Sequence, residues 1–320
     1  TTSTKTMSKS SLDLGTSIDN GIVAKTMGTA PRRPAIEMKE ACYSGTAALQ
    51  LACAWSARHP GRQALIVASD IARYDLQSPG EPTQGAGAVA LLVGAEPRIL
   101  ALDPDAGCHS EDVMDFWRPN YRDAALVDGQ YSTRVYLSSL IQAWERYRAV
   151  SGRRLQDFDR FCYHLPFTRM AEKAHARLWH ASGAPEPTSE ELRVQIGDSL
   201  RYNRVTGNTY TASLYEGLTS LLDQSAEDLS GRRLALYSYG SGCVAEFFSG
   251  QVVPGYRSQL RAAEHQALLA ARQELEYQQY EDIFSLPFPN DGGEHVFSQY
   301  RTGPYRLAGV SQHKRIYEAL

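Results

Sequence analysis

The stretch AIEMKEACYSGTAALQLACAW, residues 35–55, runs from a strand-like segment through Cys42 into apolar residues at helical spacing. A thiol at this junction has two interpretations. Free cysteine is among the most buried residue types, so Cys42 could be an ordinary core residue. A thiol at a helix N-terminus also lies at the positive end of the helix dipole and loses its proton more easily. The stretch by itself favours packing, and the rest of the chain has to decide.

The composition restricts the classes of protein. The chain has 320 residues and a formal net charge of −3, which argues against a nucleic-acid-binding surface. It contains neither an apolar run of membrane-spanning length nor a signal-peptide pattern. Its five cysteines are widely spaced and include no C-x-x-C pair, which argues against a disulfide framework and a zinc site. We therefore expect a protein of the reducing cytoplasm, with no metal and no membrane partner.

Strand-like and helical segments alternate along the chain. Strand-like runs occur at residues 34–41, 62–70, 85–94, 98–103, 158–164, 232–242 and 244–253. Helical spacing occurs at residues 17–27, 43–55, 131–150, 168–181, 190–205, 206–222 and 258–276, with a start at Ser132 and a break at Gly207. This alternation predicts the α/β class.

Four polar residues at segment ends are hard to explain by packing alone: Cys42 at the junction, His164 at a strand end, Asn208 after a glycine, and Ser241 between two glycines. Singly, each has an ordinary interpretation, such as a structural histidine, a turn asparagine or a tight hairpin. Together they supply a nucleophile, hydrogen-bonding neighbours and backbone N–H groups for an oxyanion. Acyl transfer requires these groups.

Six motifs carry a resemblance to a known family: EMKEACYSGTAALQ, ASDIARYDLQSPGEPTQGAGAVALLV, EDVMDFWRPN with LVDGQYS, YHLPFTRMAEKA, YNRVTGNTYTASLY and YSYGSGCVAEFFSG. In these motifs, which occur in the family's order, the chain resembles 3-hydroxy-3-methylglutaryl-CoA synthase of the bacterial type, a member of the thiolase superfamily. The resemblance covers residues 36–256, with weaker likeness towards the C-terminus.

The resemblance implies catalytic roles for the polar residues. Cys42 would carry an acetyl group as a thioester, and His164 would contact the carbonyl of acetoacetyl-CoA with Asn208 beside it. The backbone at Cys42 and the turn at Gly240 and Ser241 would form the oxyanion hole.

Further roles follow from the same resemblance. Tyr74 and Thr83 would line the acyl pocket, while Asp70 and Asp128 would support the site. Arg169 stands where the family often has a lysine near the CoA phosphates, and Lys173 would also bind substrate.

The implied activity is the condensation of acetyl-CoA with acetoacetyl-CoA, without a cofactor, in the mevalonate pathway of isoprenoid biosynthesis. The sequence DFWRP favours this type over the polyketide β-branching type. The implied fold is a thiolase-like α-β-α-β-α arrangement of two duplicated halves in a homodimer. Residues 1–104 would form an N-terminal half that carries the nucleophile, and residues 105–320 a C-terminal half with His164 and Asn208.

The family's general acid/base glutamate has no counterpart at the expected place. Counting back from Cys42 without gaps leads to Lys9 and Ser10, and the first glutamate is Glu37. Either this segment aligns differently, or the N-terminal half is truncated, or the group is absent; a desolvated lysine is a further option. Loss of a positioned acid/base slows proton transfer by about 10²–10⁴-fold, so acetyl transfer could persist while condensation suffers.

Two other functions therefore stay open. One is a related acyltransferase or condensing enzyme with a different acceptor. The other is a non-catalytic subunit whose fold serves as a partner surface, completed by a chain that supplies the missing N-terminal segment.

Overall fold

The computed structural model describes residues 35–121, 125–185, 187–287, 289–298 and 305–320. The predicted helix at 17–27 and the positions of Lys9 and Ser10 lie outside these ranges. Within them, residues 38–272 belong to one compact unit and residues 273–320 to a second. The boundary at residues 104 and 105, drawn from the resemblance, stays a prediction.

A four-stranded sheet is the centre of the first unit. Its strand order is β3-β8-β7-β6, from β3 (Leu100–Ser110), β6 (Arg160–Tyr163), β7 (Arg233–Gly240) and β8 (Val244–Val252). The β6 and β7 strands pair in parallel, whereas β8 pairs antiparallel with both of its neighbours. The strands predicted around residues 98–103, 158–164, 232–242 and 244–253 are thus confirmed.

Alternation along β7 separates two hydrophobic cores. Ala235, Tyr237 and Tyr239 face one core, and Leu234 and Leu236 face the other. This period of two is what a strand buried on both faces requires.

The first core packs against α2 (Gly129–Ser151) and α3 (Arg169–Ala181). The α2 helix presents a fully buried stripe of Tyr136, Leu140, Ala143 and Tyr147, at the spacing of one helical face. Burial of the large side chains of Tyr136, Leu140 and Tyr147 stabilises the packing of α2 on the sheet.

The second core packs against α1 (Ser44–Arg58) and α6 (Ser213–Gln224). Beyond these helices, β1 (Ala64–Ala72) and β2 (Gly85–Val93) form an antiparallel two-stranded sheet, which contributes Ile66 to the same core. The layers therefore alternate, in the order α2 and α3, the four-stranded sheet, α1 and α6, and the β1–β2 sheet. This order confirms the predicted α/β class and agrees with the layered arrangement that the resemblance implied.

Several sequence predictions were wrong in detail. Residues 34–41 form no strand in their described part, and only an isolated bridge joins Glu40 to Cys42. The α2 helix begins at Gly129 rather than Ser132, because Asp128 caps it by accepting a hydrogen bond from Tyr131 N at 2.9 Å. The helix predicted at 258–276 is shorter: a 3₁₀ turn precedes α7 (Ala262–Ala270).

The helix predicted at 190–205 is three pieces: α4 (Ser189–Ile196), a 3₁₀ segment and α5 (Asn203–Thr206). Thr188 and Glu191 form a capping box that starts α4. The hydroxyl of Ser199 then donates to the carbonyl of Ile196 at 2.7 Å, which satisfies an acceptor at the helix end.

The remaining strands and helices are short. In the first unit, β4 (Phe116–Trp117) pairs with β5 (Leu126–Val127). The second unit has α8 (Tyr277–Phe284) and a three-stranded sheet of β9 (His295–Val296), β10 (Tyr305–Ser311) and β11 (Lys314–Ala319). Among the helices described here, none combines the length and apolar character needed to cross a membrane.

Candidate active site

Residues 40–44 form a tight turn, here called the nucleophile turn, that leads into α1. Ala41 has a left-handed backbone with φ of 46°, which is uncommon for a residue other than glycine. Tyr43 N donates to Glu40 O at 3.0 Å, and Ser44 Oγ donates to Ala41 O at 2.9 Å. These bonds fix Cys42 at the start of α1, so the predicted junction of cysteine and helix is confirmed.

The resting thiol of Cys42 is held in its protonated form. Burial raises its pKa well above the usual value, and the negative charges of Asp70 and Asp115 raise it further. A backbone hydrogen bond at Cys42 lowers the pKa, in the direction expected at a helix N-terminus, but burial and the two carboxylates outweigh it. Ionisation has to accompany the arrival of a substrate or a base.

Cys42 lines a cavity of about 410 Å³. His164, Asn208, Ser241, Tyr74 and Thr83 line the same cavity. The structure thus brings all four residues predicted to be catalytic into one cavity, together with the two predicted to line an acyl pocket.

His164 enters this cavity from the end of β6. Its backbone N donates to Tyr237 O and its carbonyl accepts from the Tyr136 hydroxyl, each at 2.8 Å. Burial lowers the pKa of its ring to about 3, so the imidazole is neutral at pH 7. Its Nδ1 is buried, and no group in the described ranges bonds to it. A neutral ring N–H is suited to donate to a carbonyl oxygen.

Asn208 is held beside Thr83 by backbone contacts. Its N–H donates to Thr83 O at 3.0 Å, and its side-chain Oδ1 accepts from Tyr210 N at 2.9 Å. Gly207 has φ of 77°, and a Cβ there would lie 1.9 Å from Gln84 O. Only glycine fits this approach, which explains the break predicted at Gly207.

Residues 240–242, the glycine turn, lie next to the nucleophile turn. A Cβ on Gly240 would lie 2.8 Å from three atoms of the nucleophile turn: the carbonyl oxygen of Glu40 and the N and Cβ atoms of Tyr43. Ser241 follows directly and lines the cavity. The close approach brings two sets of backbone N–H groups together, as an oxyanion hole requires.

Asp115 is a functional residue that the sequence reasoning missed. It is fully buried, and its carboxylate accepts from Gly242 N at 3.1 Å, Tyr239 Oη at 2.7 Å and Ser132 Oγ at 3.2 Å. It therefore ties the glycine turn to α2. The available signal was its place in EDVMDFWRPN, one of the six motifs that carry the resemblance.

An aromatic wall surrounds the thiol. Tyr74 and Tyr210 each pack against Phe116, with ring centroids 5.8 and 6.1 Å apart, and all three residues line the cavity. Burial raises the pKa of Asp70, on β1, to about 7, so its charge changes near neutral pH. Asp70 thus influences the thiol electrostatically, as a supporting carboxylate would.

Three of the remaining predicted residues do not line the cavity. The Asp128 side chain caps α2, a structural role that the prediction did not include. Arg169 and Lys173 are exposed on α3, and Lys173 Nζ lies 5.6 Å from the ring of Phe167, which lines the cavity. Lys9 and Ser10 lie outside the described residues. Within the described ranges, no cluster of three His, Cys, Asp or Glu residues could hold a metal ion.

Comparison with known families decides the classification. Residues 28–98 match the N-terminal family of hydroxymethylglutaryl-coenzyme A synthase, and residues 100–197 and 186–287 match its C-terminal family. The chain belongs to the hydroxymethylglutaryl-CoA synthase family. The resemblance and the thiolase-like fold are therefore confirmed, and the protein is an acyltransferase.

Individual relatives agree. A hydroxymethylglutaryl-CoA synthase of Enterococcus faecalis is 41% identical over 92% of this chain and 76% of its own length. A crystal structure of an HMG-CoA synthase complexed with CoA has a TM-score of 0.88 and 40% identity, covering 97% of this chain and 80% of that one. The polyketide 3-hydroxy-3-methylglutaryl-ACP synthase PksG of Bacillus subtilis is 34% identical over 87% of this chain and 70% of its own.

Proposed function

We propose that this protein condenses acetyl-CoA with acetoacetyl-CoA to give 3-hydroxy-3-methylglutaryl-CoA, using Cys42 as the acyl carrier. The observation that carries the proposal is the single cavity shared by Cys42, His164, Asn208 and Ser241 in a chain of this family. No metal or cofactor is needed, because the carbon–carbon bond forms from an enolate that the thioester itself stabilises.

The first step transfers an acetyl group. The sulfur of Cys42 attacks the thioester carbonyl of acetyl-CoA and gives its proton to a base, and this proton then passes to the departing CoA sulfur, which leaves as the thiol. The oxyanion of the tetrahedral intermediate accepts hydrogen bonds from backbone N–H groups of the nucleophile turn and the glycine turn. Since Asp115 binds Gly242 N and Tyr239, it keeps the glycine turn in place for this step.

The second step forms the new bond. The methyl group of acetyl-Cys42 loses a proton to a base, and the resulting enolate attacks the ketone carbon of acetoacetyl-CoA. The ketone oxygen gains a proton and becomes the 3-hydroxyl group. The neutral ring of His164 donates a hydrogen bond to this oxygen, with Asn208 beside it. Water then cleaves the Cys42 thioester, which releases the product and restores the thiol.

Arg169 and Lys173 are our candidates for binding the CoA phosphates, because both cations are exposed near the cavity residue Phe167. Phosphate recognition by such side chains depends on charge and hydrogen bonding. We further propose a role in the mevalonate pathway of isoprenoid biosynthesis, a homodimer, and a reducing cytoplasmic location. The five cysteines, all free thiols, support the last of these.

A second candidate is the same condensation on carrier-protein substrates. It is favoured by the similarity to PksG, which is named as an ACP synthase. The two candidates share the Cys42 chemistry and differ in what carries the acyl groups.

The test follows the loss of acetoacetyl-CoA enolate absorbance after addition of acetyl-CoA, with Cys42→Ala as the control. We expect turnover by the unsubstituted protein, none by the variant, and a mass increase of one acetyl group on Cys42. Acetylation without turnover would contradict condensation and leave acyl transfer to another acceptor. Turnover only with acyl carrier proteins would favour the second candidate. A Cys42→Ala variant with full biological activity would favour a non-catalytic subunit.

A further inference from the structure

A buried carboxylate, Glu246 on β8, lies beneath the start of α1 and has no role in the steps above. Its residue is 1% exposed. Tyr43 Oη donates to Glu246 Oε2 at 2.5 Å, and Gln50 Nε2 donates to Glu246 Oε1. Burial raises the pKa of Glu246, and the two hydrogen bonds oppose this rise. Such a group is costly to bury, so its two partners have to compensate for lost water.

The same face of α1 makes further polar contacts with the sheet and with α6. Thr46 Oγ1 donates to Ser238 Oγ at 2.8 Å and lies 2.7 Å from Tyr215 Oη. Ser238 pairs directly with Glu246 across β7 and β8. We call this set of side chains the polar layer: Tyr43, Thr46, Gln50, Ser238 and Glu246. Its first three members are three and four residues apart in sequence, which places them on one face of the helix.

A polar layer orients a helix more strictly than an apolar one. Hydrogen bonds fix donor and acceptor atoms within a few tenths of an ångström and a limited angle, whereas apolar contact is non-directional. Two of the bonds end on the two oxygens of one carboxylate, so Glu246 fixes both the rotation of α1 and its position along the sheet.

Tyr43 connects this layer to the site. It directly follows Cys42, and its N and Cβ atoms pack against Gly240 of the glycine turn. A displacement of the Tyr43 side chain therefore changes the separation between the thiol and the oxyanion-binding N–H groups.

We propose that Glu246 is a positioning residue for the reaction, which acts through Tyr43 and Gln50 to hold Cys42 against the glycine turn. This rests on the proposed function in one respect, the use of Cys42 as the acyl carrier. Glu246 touches no substrate, and its effect is on the geometry of the thiol.

The test compares Glu246→Gln and Tyr43→Phe with the unsubstituted protein at temperatures where all are folded. An amide at position 246 can accept only one of the two donated bonds, and phenylalanine removes one of them. We expect the rate constant for acetylation of Cys42 to fall by about ten- to a hundredfold, since a misplacement near 1 Å costs up to about 10²-fold. The KM for acetyl-CoA should stay within about twofold, because binding contacts are unchanged.

Two further variants separate positioning from stability. The double variant Gln50→Glu with Glu246→Gln again has one carboxylate and one amide, now in exchanged positions. It should therefore restore most of the acetylation rate that Glu246→Gln loses. Ser249→Ala is the matched control, since Ser249 is a fully buried β8 residue that bonds to Tyr147 on the opposite face of the sheet. It should lower the melting temperature without changing the acetylation rate of folded protein.

Alkylation of Cys42 by iodoacetamide gives a readout that needs no CoA substrate. We expect the alkylation rate or its pH midpoint to change in Glu246→Gln and both to be unchanged in Ser249→Ala. The proposal would be overturned by an acetylation rate in Glu246→Gln within twofold of the unsubstituted protein, or by an alkylation rate and a pH midpoint that are both unchanged. If the unsubstituted protein forms no acetyl-Cys42, the proposed function fails, and alkylation still decides whether Glu246 positions the thiol.

Discussion

Replacing Gly240 with alanine probes the close approach of the nucleophile turn and the glycine turn. The added Cβ would lie 2.8 Å from the carbonyl oxygen of Glu40 and from the N and Cβ atoms of Tyr43, whereas ordinary contacts begin at 3.4 Å. The two turns would have to separate by about 0.6 Å, because all three of these atoms belong to the backbone or are bonded directly to it. Overpacking of this kind typically costs about 1–3 kcal/mol of stability.

The catalytic effect should be larger than the stability effect suggests. Since misplacement by 1 Å can cost about 10²-fold in rate, a separation of this size predicts a loss of roughly tenfold or more in acetylation of Cys42. The assay is a single-turnover reaction with labelled acetyl-CoA, alongside thermal unfolding. Gly197→Ala is the control, because its Cβ would meet only the Arg193 side chain at 3.6 Å and its φ is −58°.

An unchanged acetylation rate in Gly240→Ala, with an unchanged melting temperature, would refute the reasoning. A similar loss in Gly197→Ala would refute it as well, because the effect would then follow from any added methyl group.

Three further changes have defined expectations. Ala41→Gly should remove a left-handed backbone strain of about 1–2 kcal/mol, while the greater freedom of glycine in the unfolded chain costs about 0.4–1 kcal/mol. Urea unfolding should therefore show a small gain in stability. Asp128→Ala should cost about 1 kcal/mol in the same assay through loss of the α2 cap, with an unchanged acetylation rate. The pKa of Asp70 is raised to about 7, so its contribution to stability is present at low pH and is lost as pH rises towards and through 7. Asp70→Asn should reduce this loss of unfolding free energy with rising pH, which is worth about 1.4 kcal/mol per unit of pKa shift. Each prediction has an outcome that would contradict it. These are a loss of stability in Ala41→Gly, a loss of activity in Asp128→Ala, and an equal pH dependence of stability in Asp70→Asn and the unsubstituted protein.

Much of the fold was predictable because local pattern and burial agree. The β7 strand alternates between two cores, so its sequence reads as a continuous apolar strand. The α2 helix shows its buried stripe at helical spacing. Segments where tertiary contacts decide were predicted less well. Residues 190–205 break into three pieces because hydroxyl groups such as those of Ser199 and Ser220 satisfy backbone carbonyls there.

The site shows the same division. Cys42, His164, Asn208 and Ser241 stand at segment ends, where sequence motifs are informative, and all four line one cavity. Asp115 lies in one of the motifs but was missed, because its role depends on contacts with Gly242 and Tyr239, both distant in sequence. The raised pKa of Cys42 was also beyond the sequence, since it results from burial and from two carboxylates on other segments.

The protonated thiol has a consequence for how the protein survives oxidants. Peroxide and similar reagents attack thiolates, so susceptibility follows thiolate character and exposure. Cys42 is 8% exposed, and burial and the neighbouring carboxylates keep it protonated. The unliganded protein should therefore lose little activity during exposure to peroxide, while a substrate analogue that promotes ionisation should sensitise it. The same environment that delays the first chemical step thus preserves the nucleophile between encounters with substrate.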